Sequence, residues 1–356
     1  MPGAAGIGSY YGEQWAPAAM SSLSTLFSYD SPPGTAKYAA ALASPSQQVS
    51  TTMPELETEG ELKTLPAPMT IETAAAARSP GIVKVRSVWA HNLNEEVKLI
   101  ESLFTSFRFA AVDTEFPGTV HRPSAPAYTL TRKQKYALLK KNVDELHLVQ
   151  LGLTLFDADG RLPDLGTGGA VHYVWEFNFR EFDLRRHAHA SESIALLRSK
   201  GVDFDMTRQD GVDAAAFGSR LGKWLRAGLG RAGLVTFSGA YDLAYMLKML
   251  YGGGYRLPGD AATFEFVVKT VIGKTLYDVS KMARHCPGDL RGGLECVAGK
   301  LDVRRAVGEA HQAGSDSLLT CQMFMRMKER YFDQAALATV AGINLGCLIF
   351  TSCEYT

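Results

Sequence analysis

The stretch Phe109-Ala-Ala-Val-Asp113-Thr-Glu115-Phe-Pro-Gly118 sets two carboxylates into a segment whose other residues read as a strand. Strand side chains alternate with a period of two, so Asp113 and Glu115 share one face while Val112, Thr114 and Phe116 share the other. Carboxylates side by side on one face repel unless a cation lies between them. Hard oxygen donors of this kind suit Mg²⁺ or Mn²⁺ rather than zinc. Taken alone, the pair also reads as a strand end whose charges are solvated or matched by nearby Arg or Lys. The rest of the chain decides between the two.

Outward from this stretch the periodicities are clear. Upstream, residues 83–89 alternate as a strand and 94–104 carry apolar residues at helical spacing. Downstream, residues 131–142 form a basic, helical segment with Arg132, Lys133, Lys135, Lys140 and Lys141. Residues 146–156 and 171–179 are rich in aromatic and aliphatic strand formers. The turns between these strands are too short for crossover helices, which predicts an antiparallel core.

Beyond this core the chain turns helical, with helical periods over 213–227 and 241–251 separated by a short strand at 234–238. Asp242 therefore opens a helix directly after a strand, where α/β folds place their chemistry, although a first-turn acid also complements the helix dipole. Gly308-Glu-Ala-His311-Gln-Ala-Gly-Ser-Asp316 is a polar loop leading into a further helix. Ser315 is expected to be its N-cap and Asp316 to sit in its first turn. Met323, Met325 and Met327 are expected to fill core gaps.

The 356 residues hold 37 Lys plus Arg against 37 Asp plus Glu, so attraction for a polyanion must be local. The five cysteines, Cys286, Cys296, Cys321, Cys347 and Cys353, form no CxxC pair, which points to a reducing compartment. No Lys or Arg precedes Lys37 and no compact apolar run stands near the start, so neither a secretory signal nor an Arg-rich transit peptide is expected. The apolar run at 337–350 is broken by Gly and Asn, so no membrane segment is expected. Residues 1–81 are dominated by Ala, Ser, Pro, Gly and Thr and are expected to be a disordered tail.

Together these pieces resemble a known family. Asp113-x-Glu115, an Asp after a strand, then His311-x4-Asp316, follow the order of motifs in the histidine-bearing branch of the DEDD exonuclease superfamily. Within it the chain is similar to the CAF-one (CCR-associated factor, POP-two type) deadenylases, catalytic subunits of the CCR-NOT complex. Five blocks carry the likeness: Val112-Asp-Thr-Glu-Phe-Pro-Gly118; Leu138-Leu-Lys-Lys-Asn-Val-Asp-Glu-Leu146 with Gln150-Leu-Gly-Leu-Thr154; Glu176-Phe-Asn-Phe179; Gly292-Gly-Leu294; and His311-Gln-Ala-Gly-Ser-Asp-Ser-Leu-Leu-Thr320. One segment departs from the pattern. The family reads Phe-His-Ser, a small residue, then Tyr-Asp, whereas this chain has Phe237-Ser238-Gly239-Ala240-Tyr241-Asp242.

The resemblance implies an α/β, ribonuclease-H-like three-layer exonuclease domain, a central mixed sheet flanked by helices, spanning 82–346 between the tail at 1–81 and a short tail at 347–356. It implies two divalent metal ions, Mg²⁺ or Mn²⁺, held by Asp113, Glu115, Asp242 and Asp316. In such sites one ion activates a water and the other stabilises the leaving oxygen. His311 would be the general base. Single-stranded poly(A) RNA would be shortened from its 3′ end with release of 5′-AMP, with Phe116 a candidate for stacking a base and Lys133 for meeting a phosphate. A CCR-NOT scaffold subunit and a second deadenylase would be partners, in the cytoplasm including mRNA-decay granules and also in the nucleus. The alternatives are another nuclease of the superfamily and a non-catalytic adaptor bridging scaffold and deadenylation factors.

Overall fold

The computed structural model describes residues 81–341 apart from Gly253 and Lys274. The expected tails, together with Cys347 and Cys353, lie outside the described residues. A six-stranded sheet organises the domain: β1 (Ile82–Val88), β2 (Phe109–Glu115), β3 (Gln150–Phe156), β4 (Val171–Asn178), β5 (Gly233–Thr236) and β6 (Leu276–Asp278), in the order β1-β4-β3-β2-β5-β6.

The central trio β4-β3-β2 is antiparallel, as the short connections require. The outer strands correct the expectation of an antiparallel core, because β1 runs parallel to β4, and β5 and β6 run parallel to β2 and to each other. Their connections contain helices long enough to return the chain to the same end of the sheet. The third strand is shorter than the apolar run predicts. Leu146 N–H still bonds to Asn142 O and closes the preceding helix, so ladder pairing starts at Gln150.

Helices cover both faces. On one side lie α1 (Leu93–Leu103), α2 (Arg132–Glu145), α5 (Ala214–Ala227), α6 (Ala240–Tyr251) and α7 (Ala261–Val271), packed with Val112, Leu151, Leu153, Trp175 and Phe177. The smaller α3 (Ser191–Ser199) and α4 (Phe204–Asp210) contribute Ile194, Leu197 and Phe204 to a satellite cluster with Val149 and Phe182. On the opposite side α8 (Val279–Met282), α9 (Leu294–Lys300), α10 (Ala313–Tyr331) and α11 (Gln334–Val340) pack with Ala111, Phe156, Val235 and Tyr277.

Local sequence sets the boundaries. Thr131 and Gln134 form a reciprocal capping box at the start of α2. Asp213 caps α5 through Ala216 N–H, and Gly228, at φ 117°, ends it in the left-handed conformation that glycine tolerates. The α10 helix is buried along most of its length, with Met323 and Met327 in the core as expected and Thr154 Oγ1 meeting Ser317 Oγ at 2.9 Å. No helix among the described residues is long and apolar enough to cross a membrane.

Candidate active site

Cross-strand register builds the floor of the site. Asp113 of β2 pairs with Gly152 of β3, which pairs with Glu176 of β4, so the three lie in one lateral row on the α10 face. The absent side chain at 152 matters: a Cβ there would sit 1.8 Å from Ala313 O and 2.8 Å from Gly314 N. The first turn of α10 therefore lies directly on the sheet, fixed by Gly314 N–H donating to Glu176 Oε2 at 3.1 Å. This seating brings Asp316 over the strand that carries Asp113 and Glu115.

Thr114 points the other way and donates to Asp242 Oδ1 at 2.5 Å, tying the first turn of α6 to β2. The turn before α6 is set by Asp278, whose carboxylate accepts from Ser238 N–H at 3.2 Å and Gly239 N–H at 2.9 Å. Ser238 has φ 55°, and a Cβ on Gly239 would lie 2.3 Å from the Thr236 side chain. The segment that departs from the family pattern is thus a tight, strained turn braced by an acid on β6.

Electrostatically the cluster is short of positive charge. Burial, then repulsion from Asp242, Asp316 and Glu115, holds the Asp113 carboxyl well above the ordinary carboxylate range. Glu115 is raised well above its ordinary value by burial and by the charges of Asp316, Asp242 and Glu176. Burial raises Asp242 to about 7 against the opposing Thr114 hydrogen bond. Asp316 is raised by burial, partly offset by Arg305, whose Nη2 lies 2.6 Å from Asp316 Oδ1. Ligand atoms of Glu115, His311 and Asp316 all fall within 4.8 Å of one another. His311 is exposed at the rim with φ 65°, and its backbone N–H donates to Asp316 Oδ2 at 2.9 Å. Four oxygen-donor acids whose protons are held by mutual repulsion and burial fit a site for hard divalent ions.

Comparison with known proteins places this arrangement. The model of the CAF1 family ribonucleases matches residues 88–215, which include Asp113 and Glu115. Probable CCR4-associated factor 1 homolog 10 from Arabidopsis thaliana is 42% identical over 253 residues, covering 70% of this chain and 87% of that protein. The chain belongs to the CAF1 ribonuclease family. A second Arabidopsis relative, homolog 7, is 41% identical over 253 residues, covering 70% of this chain and 88% of its own length. The S. pombe Pop2p structure with Mg²⁺ and Mn²⁺ bound superposes with a TM-score of 0.64 at 32% identity, covering 74% of this chain and 99% of Pop2p. Yeast CAF1 co-crystallised with the NOT1 MIF4G domain gives 0.57 at 26%, covering 73% and 96%. The three-layer, ribonuclease-H-like architecture expected from the sequence is therefore that of the CAF1 nucleases, and divalent metal ions belong to it.

In this CAF1 chain Asp113, Glu115, Asp242, Asp316 and His311 converge from β2, α6, α10 and the loop before α10. Phe116 is half-buried, stacked on Tyr241 at 4.9 Å and tilted against Tyr245 at 5.3 Å, so one of its faces is already taken. Lys133 is exposed on the first turn of α2 and joins no ion pair with the four acids. Arg132 pairs with Glu265, and Lys140 with Asp144 at 2.6 Å, which commits both to the protein's own acids. Ser315 is not the N-cap. The helix starts at Ala313 after Gln312, because Gly314 N–H is taken by Glu176, and the Ser315 hydroxyl instead accepts from Arg305 Nη1 at 2.5 Å and donates to Val307 O.

The raised carboxyl pKa values carry a pH prediction. Acids whose folded pKa exceeds the unfolded value stabilise the protein at low pH, and that contribution fades as pH rises from the unfolded value through the folded one. For Asp242 this window runs from its ordinary value to about 7. In chelator the melting temperature should therefore fall between about pH 5 and pH 8, and excess Mg²⁺ should raise it far more at the upper end. A melting-temperature gain from Mg²⁺ that is equal at both ends would contradict the cluster's role.

Proposed function

We propose that this CAF1-family nuclease is a 3′–5′ exoribonuclease that shortens the poly(A) tail of mRNA and releases 5′-AMP. The observation that carries the reading is the convergence of Asp113, Glu115, Asp242 and Asp316 in one buried cluster, with carboxyl groups whose protons are all held above the ordinary range. These four would hold two divalent ions, Mg²⁺ or Mn²⁺. Bound there, the ions supply Lewis-acid activation of water and charge stabilisation at the phosphate.

The chain's own groups do the rest. β2 fixes the spacing of Asp113 and Glu115, Thr114 orients Asp242, and the His311 backbone orients Asp316. The His311 imidazole, at the open rim, takes the proton of the attacking water. His311→Ala should lower turnover by roughly 10²–10⁴-fold while leaving RNA affinity nearly unchanged. Single-turnover rates with a separate binding titration check this, and a loss confined to affinity would make His311 a positioning group.

Assembly on a CCR-NOT scaffold is supported by the likeness to the yeast CAF1 that was crystallised with the NOT1 MIF4G domain. A second deadenylase subunit, and action in the cytoplasm, its mRNA-decay granules and the nucleus, complete the proposal. The domain would run from 82 to 346 between two tails. A second reading is a weakly active or inactive adaptor, favoured by the altered turn at 237–241 with its strained Ser238.

The test is a time course on 5′-labelled RNA ending in adenosines, with Mg²⁺ or chelator. A metal-dependent ladder receding from the 3′ end and stalling at the first non-adenosine supports the deadenylase. Equal degradation of any 3′ sequence points to a broader nuclease, and no shortening by a folded protein points to the adaptor.

A further inference from the structure

Arg305 is the only cation whose ion pair reaches one of the four acids among the described residues, and its position is unusual for an arginine. Its side chain is only 13% exposed, and it lies between two acids of opposite character. On the inner side, Nη2 meets Asp316 Oδ1 at 2.6 Å; on the outer side, Nε donates to Glu295 Oε1 at 3.0 Å and Nη2 also contacts that oxygen. Nη1 is anchored on the Ser315 hydroxyl at 2.5 Å. Asp316 is 5% exposed, whereas the Glu295 side chain is 57% exposed on α9.

The other Asp316 oxygen accepts the His311 N–H at 2.9 Å, whereas the buried Oδ1 has the guanidinium beside it as an ion pair and accepts no hydrogen bond. Oδ1 is thus the Asp316 oxygen left without a hydrogen bond, and a divalent ion that draws on it meets the guanidinium at short range, where the two cations repel in a site of low dielectric. The guanidinium has somewhere to go, because Glu295 already holds it from the solvent side.

We infer that Arg305 is the resident counter-cation of the carboxylate cluster, a positioning residue that steadies Asp316 and yields its Oδ1 to an incoming divalent ion by leaning on Glu295. The inference rests on the metal-site reading above and adds a partner that sets how tightly the site takes its ions. It differs from a plain structural brace in sign. A brace that merely held Asp316 in place would weaken ion binding when removed. A competing cation strengthens it, and taking away Glu295, which draws the guanidinium outward, must act in the opposite direction.

The experiment is a Mn²⁺ titration of the full chain, followed by the electron paramagnetic resonance of free Mn²⁺ and by melting temperature, without RNA. Arg305→Gln should lower the half-saturating Mn²⁺ concentration roughly tenfold, as expected for loss of one close like charge, and lower the melting temperature in chelator. Glu295→Gln, at a side chain that is 57% exposed, should raise the half-saturating concentration. Arg305→Lys, which keeps the charge, should stay near the wild type. Weaker binding in Arg305→Gln with no change in Glu295→Gln overturns the inference in favour of a brace, and unchanged binding in both overturns it outright. If Arg305→Gln fails to fold, the raised half-saturating concentration expected of Glu295→Gln, set against the near-wild-type value expected of Arg305→Lys, still decides. Should the wild type take up no Mn²⁺, the metal-site reading itself falls, and the inference with it.

Discussion

Asp113→Ala should abolish metal-dependent RNA cleavage, by on the order of a thousandfold or more, while the metal-free protein melts no lower than the wild type. Loss of ion binding removes several kcal/mol of transition-state stabilisation, which is roughly that factor in rate. The stability half follows from the site's own repulsion. Asp113 is raised by burial and by three neighbouring acids, so its charge opposes folding at neutral and higher pH, and removing it relieves Asp242, Asp316 and Glu115 together. The two halves are checked by single-turnover cleavage and by melting in chelator. Cleavage that persists with Mg²⁺ would remove Asp113 from the site. A large fall in melting temperature would mean that the carboxylate is structural and that its repulsion is quenched by some other cation.

The acids were legible in the sequence because they are residue types that a strand does not otherwise carry, at a spacing that puts them on one face. The elements bearing them, β2, α6 and α10, were legible as well, as were α2 and α5, because they have periodic apolar residues and recognisable starts. What was not legible depends on pairing across long distances. β6 is a three-residue strand, Leu276–Asp278, made a strand only by lying beside β5. The parallel edges of the sheet could not be read from the short central turns that revealed its antiparallel middle.

The same limit hid part of the site. Glu176 stood in a recognised block but acquires a role only through the register that sets it in a row with Gly152 and Asp113. Arg305 sits in an unremarkable loop between α9 and α10, and nothing local in 301–312 says that it turns inward toward Asp316. Asp278 caps α8 through Lys281 N–H, and only the three-dimensional structure shows that it also fixes the turn before Asp242. The Phe116 stacking role meets a physical obstacle: Tyr241 and Tyr245 already cover part of the ring, so a base could stack only on what they leave uncovered.

Gly152→Ala should be among the most damaging single-methyl changes in the domain, although residue 152 bears no functional group. The added Cβ would meet Ala313 O at 1.8 Å and Ala313 C at 2.2 Å, both main-chain atoms that no rotamer change can move aside. β3 is buried on both faces at the centre of the sheet, so the strain must be relieved by lifting the start of α10. Overpacking of this kind costs about 1–3 kcal/mol or more. Lifting α10 breaks the Gly314–Glu176 bond and carries Asp316 and the His311 loop away from Asp113 and Glu115. A displacement of about 1 Å at reacting groups is worth roughly 10²-fold in rate, so activity should fall by at least that much even at temperatures where the variant is fully folded. Denaturant unfolding with single-turnover cleavage separates the two effects. Near-normal cleavage in a destabilised variant would show that α10 tolerates the shift and that the row Asp113-Gly152-Glu176 does not set the position of Asp316.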